Sequence, residues 1–314
     1  MSQGKAIWRQ LGRFKRTYFS KQGYANGFIG FMAAVFAGFF RILNYSKYLK
    51  LKNNTGNISG RRMLICPVCN NNQWVEVYAI KEWIIGECRV CGFARIDPLP
   101  EVVSRGECYS QQKVIQRNTK KLTFTQRLSR AMKRFFNKLI KRDKSGIFLD
   151  KLLSYLSFGA KIIDIGCGDG SFIKLAKDKF DCAGLEISEY LAGLARKNGL
   201  NIITGNFLTA DFYEKKYDGI TLISLLEHLD DPELAMKKCF NLLNKGGVLL
   251  IKTVNYGCLN KVIKRGHWTG FRPPDHVVYF TPANLKRLLI KLGYTKIKIS
   301  AWPFSDNMYC DAWR

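Results

Sequence analysis

The chain has 314 residues, 47% hydrophobic and 24% charged, which excludes a disordered polar chain and leaves room for one large or two small domains. Lys and Arg number 51 against 24 Asp and Glu, a net charge of +27, so a negatively charged partner is expected: nucleic acid, anionic lipid or an acidic substrate. Ten cysteines, four of them in motif spacing, with no evident secretory signal read as thiols in a reducing compartment rather than a disulfide scaffold.

The excess charge sits in the appendages. Met1 to Val75 carries 12 basic residues and no acid. Within it, Tyr24–Phe40 is 17 residues without a charge, at the lower limit for crossing a bilayer. Lys21 and Arg41 flank it, so loop charge gives no orientation. Aromatic ends, glycines and basic flanks suit a helix lying in, or re-entering from, one membrane face. A buried helix of a soluble domain is the alternative. Phe14 to Lys52 also resembles the C-terminal membrane-associated tail of family-2 glycosyltransferases that build bacterial surface glycans. That resemblance implies membrane attachment and a glycan setting, and none of that family's catalytic domain is present.

A polar linker, Asn53 to Gly60, leads to Cys66-Pro-Val-Cys69 and, 18 residues on, Cys88-Arg-Val-Cys91-Gly92. This is the spacing of a four-thiolate zinc site, each knuckle presenting two sulfurs to one tetrahedral ion. Trp74–Tyr78 and Trp83–Gly86 are expected to form short strands between the knuckles. With Cys66, Cys69, Cys88 and Cys91 as ligands the ion has no open position, so its role is structural. Residues 93–112 read as a connection with Pro98 and Pro100. Lys120 to Arg142 then reads as one amphipathic helix, with Leu128, Met132, Phe135, Phe136, Leu139 and Ile140 on one side and basic residues on the other. The basic face is either solvated or a second contact with anionic lipid. Nucleic acid finds little support, since no binding motif accompanies the charge.

From Ile147 the pattern alternates strand and helix, with strands expected at Lys161–Ile165, Cys182–Glu186, Ile202–Thr204, Gly219–Ile223, Val248–Thr253, Lys296–Ser300 and Met308–Trp313. Such alternation gives an α/β fold, a mostly parallel sheet with helices on both faces, whose ligands lie beyond the C-terminal strand ends. Lys161–Phe172, KIIDIGCGDGSF, is strand, glycine-rich turn and helix start. Glycines there permit a tight turn and a close approach of ligand to main-chain N–H groups, with the helix dipole aimed at the same spot. Glu186 ends the next apolar run, 22 residues after Asp164, where an acid accepts hydrogen bonds from ribose hydroxyls. The dinucleotide fingerprint G-x-G-x-x-G fits poorly, because its third small position would be Ser171.

The actual spacing, D-x-G-x-G-x-G over Asp164, Gly166, Gly168 and Gly170, resembles motif I of the class I S-adenosylmethionine (SAM) dependent methyltransferases, with Glu186 as their ribose acid. The resemblance extends over about 165 residues, to a zinc-ribbon-bearing branch often found with polysaccharide biosynthesis. It implies a seven-stranded Rossmann-like sheet with the last strand antiparallel. With the small zinc ribbon and the N-terminal hydrophobic helical segment read above, the chain is expected to divide into 1–52 (membrane-associating), 61–100 (ribbon), 101–146 (linker with basic helix) and 147–314 (methyltransferase). It places Asn206 and Phe207 at the adenine, with Asn206 standing where the family commonly has an acid, and it adds Leu225 to the cofactor contacts. Glu227-His228-Leu229, Asp231-Pro232, Gly246-Gly247 and Thr281–Leu285 match further family segments, with Lys245 replacing the usual Pro. Asp231 is expected to cap a helix that has Pro232 at its first position.

Methyl transfer to an alcohol needs alignment, desolvation and a base. The chain's three histidines, His228, His267 and His276, all follow the fourth or fifth strand, where the acceptor is expected. Arg272-Pro-Pro-Asp-His276 resembles a segment that the family places over the active site, and the Glu227-His228 pair touches a metal or the acceptor in some related O-methyltransferases. His276, His228 and Glu227 are therefore the catalytic candidates; His228 as a structural contact to the cofactor's edge is equally open. The expectation is a SAM-dependent methyltransferase with a structural zinc, peripheral on the cytoplasmic face of the inner membrane, acting on a sugar oxygen of a lipid-linked or surface glycan. A quinone-like or other lipid acceptor is the alternative, as is a non-catalytic SAM-binding scaffold docked with glycan-assembly enzymes.

Overall fold

The computed structural model describes residues 65–100, 144–213 and 215–314. All of these fall in one compact unit, Arg61–Arg314. The apolar segment 24–40 and the basic helix expected at 120–142 lie outside the described residues. Among the described residues no helix is long and apolar enough to cross a membrane.

Seven strands form the main sheet: β4 (Lys161–Ile165), β5 (Asp181–Glu186), β6 (Ile202–Thr204), β7 (Tyr217–Ile223), β8 (Leu243–Val254), β10 (Ile297–Ala301) and β11 (Asn307–Trp313). Their order is β10-β11-β8-β7-β4-β5-β6. All run parallel except β11, which is antiparallel to both β8 and β10. This is the seven-stranded α/β sheet expected from the sequence, with its last strand reversed. Both faces are covered, as a parallel sheet requires. Side chains alternate across β8: Val248 and Leu250 pack with Phe148 and Leu152 of α1 (Lys144–Tyr155) and Phe172 of α2 (Ser171–Ala176). Leu249 and Ile251 face the opposite cluster, with Ala235, Met236 and Cys239 of α4 (Pro232–Leu242). Helix α3 (Glu189–Lys197) fills a third cluster through Ala192 and Ala195, against Ile173 and Ile202. Each fully buried aliphatic side chain contributes roughly 1.5–3 kcal/mol. Asp231 caps α4, its Oδ1 accepting from the Leu234 N–H at 2.9 Å with Pro232 in the first turn, as expected.

The cysteine-bearing segment forms a second sheet, β1 (Trp74–Ile80), β2 (Trp83–Cys88) and β3 (Ala94–Asp97). Its fourth strand is β9 (Val278–Tyr279), which comes from the methyltransferase-like part of the chain. Ala94 pairs Tyr279 and Arg95 pairs Val278. Residues 94–97 are therefore a strand and not the connection expected there. Phe93 packs on Phe280 at 4.8 Å between ring centroids, and the Tyr256 hydroxyl donates to the buried Glu87 carboxylate at 2.9 Å. Cys66, Phe93 and Ile96 thus share one core with Trp268, Tyr279 and Phe280.

Candidate active site

The glycine turn stands at the C-terminal edge of the sheet, between β4 and α2. The N–H groups of Gly166 and Cys167 both donate to the Leu185 carbonyl, at 2.7 and 3.2 Å, fastening the turn to β5. Gly166, Gly168 and Gly170 all have positive φ, at +76°, +58° and +76°. A Cβ on Gly166 would lie 2.9 Å from Leu225 Cδ1, and one on Gly170 would lie 2.4 Å from Leu200 Cδ1. A Cβ on Gly168 would meet nothing within 4 Å. The outer glycines permit close packing, whereas Gly168 borders open space. Helix α2 has only six residues, so its dipole adds little beyond the turn's own N–H groups.

Gly168 also lines a cavity, together with Gly166, Glu186, Asn206, Phe207, Leu225 and His228 among others. Glu186 is buried; its Oε2 accepts from the Gly168 N–H at 2.8 Å and its Oε1 from the Ser188 N–H at 2.9 Å. One lone pair on each oxygen remains for hydroxyl donors. Asn206 lines the wall, with its side-chain carbonyl accepting from the Leu208 N–H at 3.0 Å. Asp164 and Gly170 do not line the cavity. Asp164 lies buried beneath it and accepts from the Thr221 hydroxyl at 2.6 Å. Burial pushes its carboxyl up to about 7; the Thr221 hydroxyl works against that shift and the Glu186 charge adds to it. A pair of β4 and β7 residues thus holds the end of β4 from below, while Glu186 holds the turn from the side. Open space over Gly168, a buried acid with acceptor capacity and apolar walls at Leu191 and Leu208 fit an adenosyl group.

On the far rim lies a short 3-10 turn, Leu226–His228. It follows Ser224, a non-glycine residue at φ +61°, whose hydroxyl accepts from the buried Lys252 ammonium. His228 Nδ1 donates to the Asp275 main-chain carbonyl at 2.7 Å, and Asp275 Oδ1 lies 3.3 Å from the same nitrogen. The other nitrogen, Nε2, is therefore the basic atom. Burial disfavours the charged ring, but the Asp275 carboxylate and the Glu227 charge outweigh it, so the His228 pKa stands above its ordinary value. Burial likewise opposes ionisation of Asp275, yet His228 and the ion pair with Arg272 hold its carboxyl well below the usual range. Asp275 borders the cavity and is absent from the residues that the sequence singled out. Its only signal there was its place beside His276.

His276 does not reach the cavity. Its Nδ1 donates to the Gly270 carbonyl at 2.7 Å, and its ring stacks edge-on against His228 at 4.9 Å. Burial drops its pKa to about 3, with the His228 and Arg272 charges pushing the same way. Glu227 is also buried behind His228, accepting from the Thr253 hydroxyl at 2.8 Å. Ligand atoms of Glu227, His228 and His276 lie within 4.8 Å of one another, a donor set compatible with a divalent cation. His267 is exposed and stands apart from the cavity lining.

The four motif cysteines converge as the spacing required. Cys66 and Cys91 are 3.5 Å apart at sulfur, as are Cys69 and Cys88, and all four sulfurs lie within 4.8 Å. Those separations are far from a disulfide bond and close to the edge of a tetrahedron with metal–sulfur bonds of about 2.3 Å.

Residues 124–299 match a family model described as a methyltransferase domain. An O-methyltransferase of ubiquinone biosynthesis from Methylococcus capsulatus is 35% identical over 106 residues, covering 31% of this chain and 44% of that protein. Its counterpart from Azoarcus sp. is 24% identical over 161 residues, 47% of this chain and 69% of that protein. The chain spans less than half the length of several of the curated relatives it matches, at 44% of each. The crystal structure of magnesium protoporphyrin IX methyltransferase from Synechocystis, with bound SAH, superposes with a TM-score of 0.50 at 18% identity, over 68% of this chain and all of that one, a likeness of fold. With the glycine turn, a buried acid at the end of β5 and the reversed last strand all in place, the chain belongs to the methyltransferase-domain family, as a class I SAM-dependent methyltransferase domain.

Proposed function

We propose that the protein methylates a hydroxyl oxygen of a membrane-borne acceptor, with His228 as the general base. One observation carries this reading. His228 and Asp275 stand on the rim of the cavity that the glycine turn and Glu186 also line. The main-chain N–H groups of the turn, the Glu186 carboxylate and the walls at Asn206, Phe207 and Leu225 would hold SAM, which supplies an electrophilic methyl group on a sulfonium. Glu186 would accept from the ribose hydroxyls. His228 Nε2 would take the acceptor hydroxyl's proton, and Asp275 would stabilise the resulting imidazolium, as a buried carboxylate does beside a catalytic histidine. Apolar side chains around the cavity exclude water from the nucleophile. His276 and Glu227 would position His228 from behind and touch no substrate.

A quinone-like phenol is the favoured acceptor, because the relatives named above are O-methyltransferases of ubiquinone biosynthesis. A sugar hydroxyl of a lipid-linked glycan is the second reading, supported by the likeness of Phe14–Lys52 to a glycosyltransferase tail. Either acceptor would place the protein on the cytoplasmic face of the inner membrane. The four cysteines would hold a zinc ion that fastens the ribbon to the core it shares with the catalytic part. Incubating the full-length chain with methyl-labelled SAM and separate quinone-precursor and glycan-lipid extracts tests this. Label in the phenolic fraction is expected. Label confined to the glycan lipid selects the second reading, and transfer to neither contradicts the proposal.

A further inference from the structure

The catalytic unit carries an apolar patch that the proposed reaction does not use. Helix α5 (Leu259–Lys264) exposes Val262 at 38% and Ile263 at 70%, and the turn between β10 and β11 exposes Trp302 at 71% and Phe304 at 46%. The two segments are joined. The Leu259 N–H donates to the Pro303 carbonyl at 2.7 Å, and the Asn260 side chain donates to the Phe304 carbonyl at 2.8 Å. Trp302 and Phe304 therefore stand beside the first turn of α5, with Val262 and Ile263 one turn on. Lys264 and Arg265 follow directly, and both are exposed.

The patch lies on the catalytic edge of the molecule. β10 and β8 run in the same direction, and Ala301 and Val254 end them at that edge, opposite Met308 and Asn307 of β11. This is the edge that carries the glycine turn and His228. The chain between α5 and β9 leads from the patch to Arg272, Asp275 and His276, so one continuous segment links the exposed surface to the base.

From this we infer that Val262, Ile263, Trp302 and Phe304, with Lys264 and Arg265, form a docking surface for an anionic bilayer that presents the mouth of the cavity to the membrane. The chemistry is that of an interfacial anchor: an amphipathic indole at headgroup level, aliphatic side chains below it, and cations meeting lipid phosphates. Charge decides for a bilayer over a protein partner. The apolar groups are bordered by two exposed cations with no acid among residues 259–267, and the nearby Asp306 carboxylate is taken up by the Asn260, Trp268 and Thr269 side chains. The inference stands on the surface and does not need the proposed reaction.

The test uses full-length protein and vesicles of phosphatidylcholine with phosphatidylglycerol, plain or brominated in the acyl chains. Brominated lipid should quench the wild-type tryptophan fluorescence more than that of W302F. The charge reversal K264E/R265E should weaken partitioning by about ten-fold or more at low salt, since each basic residue near such a surface contributes appreciably. Both variants should unfold cooperatively and bind S-adenosylhomocysteine as the wild type does, since neither change touches the cavity. Because residues 1–52 are present in every sample, any contact they make is common to all. Equal quenching in W302F, or unchanged partitioning of K264E/R265E, would overturn the proposal. So would self-association of the wild type that W302F abolishes without any difference in vesicle binding, which would mark a protein interface.

Discussion

Gly168 and Gly170 differ by two positions and should fail in opposite ways when changed to alanine. Both have positive φ, so both variants pay the left-handed penalty of roughly 1–2 kcal/mol. At Gly170 the new Cβ would lie 2.4 Å from Leu200 Cδ1 and 3.2 Å from Ala195 Cβ, within the cluster formed by α2 and α3. Overpacking there adds roughly 1–3 kcal/mol, a total loss of about 2–5 kcal/mol. At Gly168 the Cβ meets nothing within 4 Å, and Gly168 lines the cavity beside Glu186. Only the strain term applies to folding, but the added methyl occupies ligand space. Binding of S-adenosylhomocysteine should weaken by at least about ten-fold, or about 1.4 kcal/mol. Urea unfolding measures the first effect and calorimetric titration at low temperature the second. G170A should be the less stable protein and, while folded, bind near wild-type strength. G168A should be the more stable of the two and bind poorly. A G168A variant that binds as tightly as wild type would refute the placement of the cofactor over the turn.

Two further outcomes follow from the same geometry. Asp275 holds the His228 pKa above its ordinary value, and a base must be neutral to act, so activity should rise with pH through that raised pKa. In D275N the limb of kcat/KM should move to lower pH, with a reduced plateau; an unmoved limb would remove His228 from the role of base. Purified protein should contain about one zinc per chain, and a strong chelator should lower the unfolding midpoint of the entire unit, because Cys66, Phe93 and Tyr279 share a core. Zinc-free protein with an unchanged midpoint would make the cysteine cluster something other than a metal site.

The parts of the fold that the sequence revealed are those written in contiguous residues. Lys161–Ile165, the glycine turn and Glu186 form one strand–turn–helix–strand unit, so spacing alone placed the cavity's floor and its acid. Cys66, Cys69, Cys88 and Cys91 declared their convergence through knuckle spacing. The β3–β9 pairing was hidden, since a four-residue strand and a two-residue partner about 180 positions away leave no periodic signal. The histidines show the same limit. Spacing put His228 and His276 in one neighbourhood, but only packing decides that His228 faces the cavity and His276 turns inward to Gly270. Asp275 was missed because its function depends on a carbonyl and a carboxylate meeting a ring 47 positions earlier. Asp164, read as a cofactor contact, became a buried partner of Thr221 because strand alternation turned it away from the ligand side.

The most direct measurement is calorimetric titration of the full-length protein with S-adenosylhomocysteine, beside an E186A variant whose cooperative unfolding is checked first. Glu186 stands ready to accept two hydroxyl donors, and charge-assisted bonds of that kind contribute about 1.5–3 kcal/mol each, so the variant should lose about a hundred-fold or more in affinity. Micromolar binding by the wild type that E186A loses is the predicted result. No binding by folded wild-type protein, or equal binding by E186A, would contradict the assignment of the cavity and with it every role given to the residues around it.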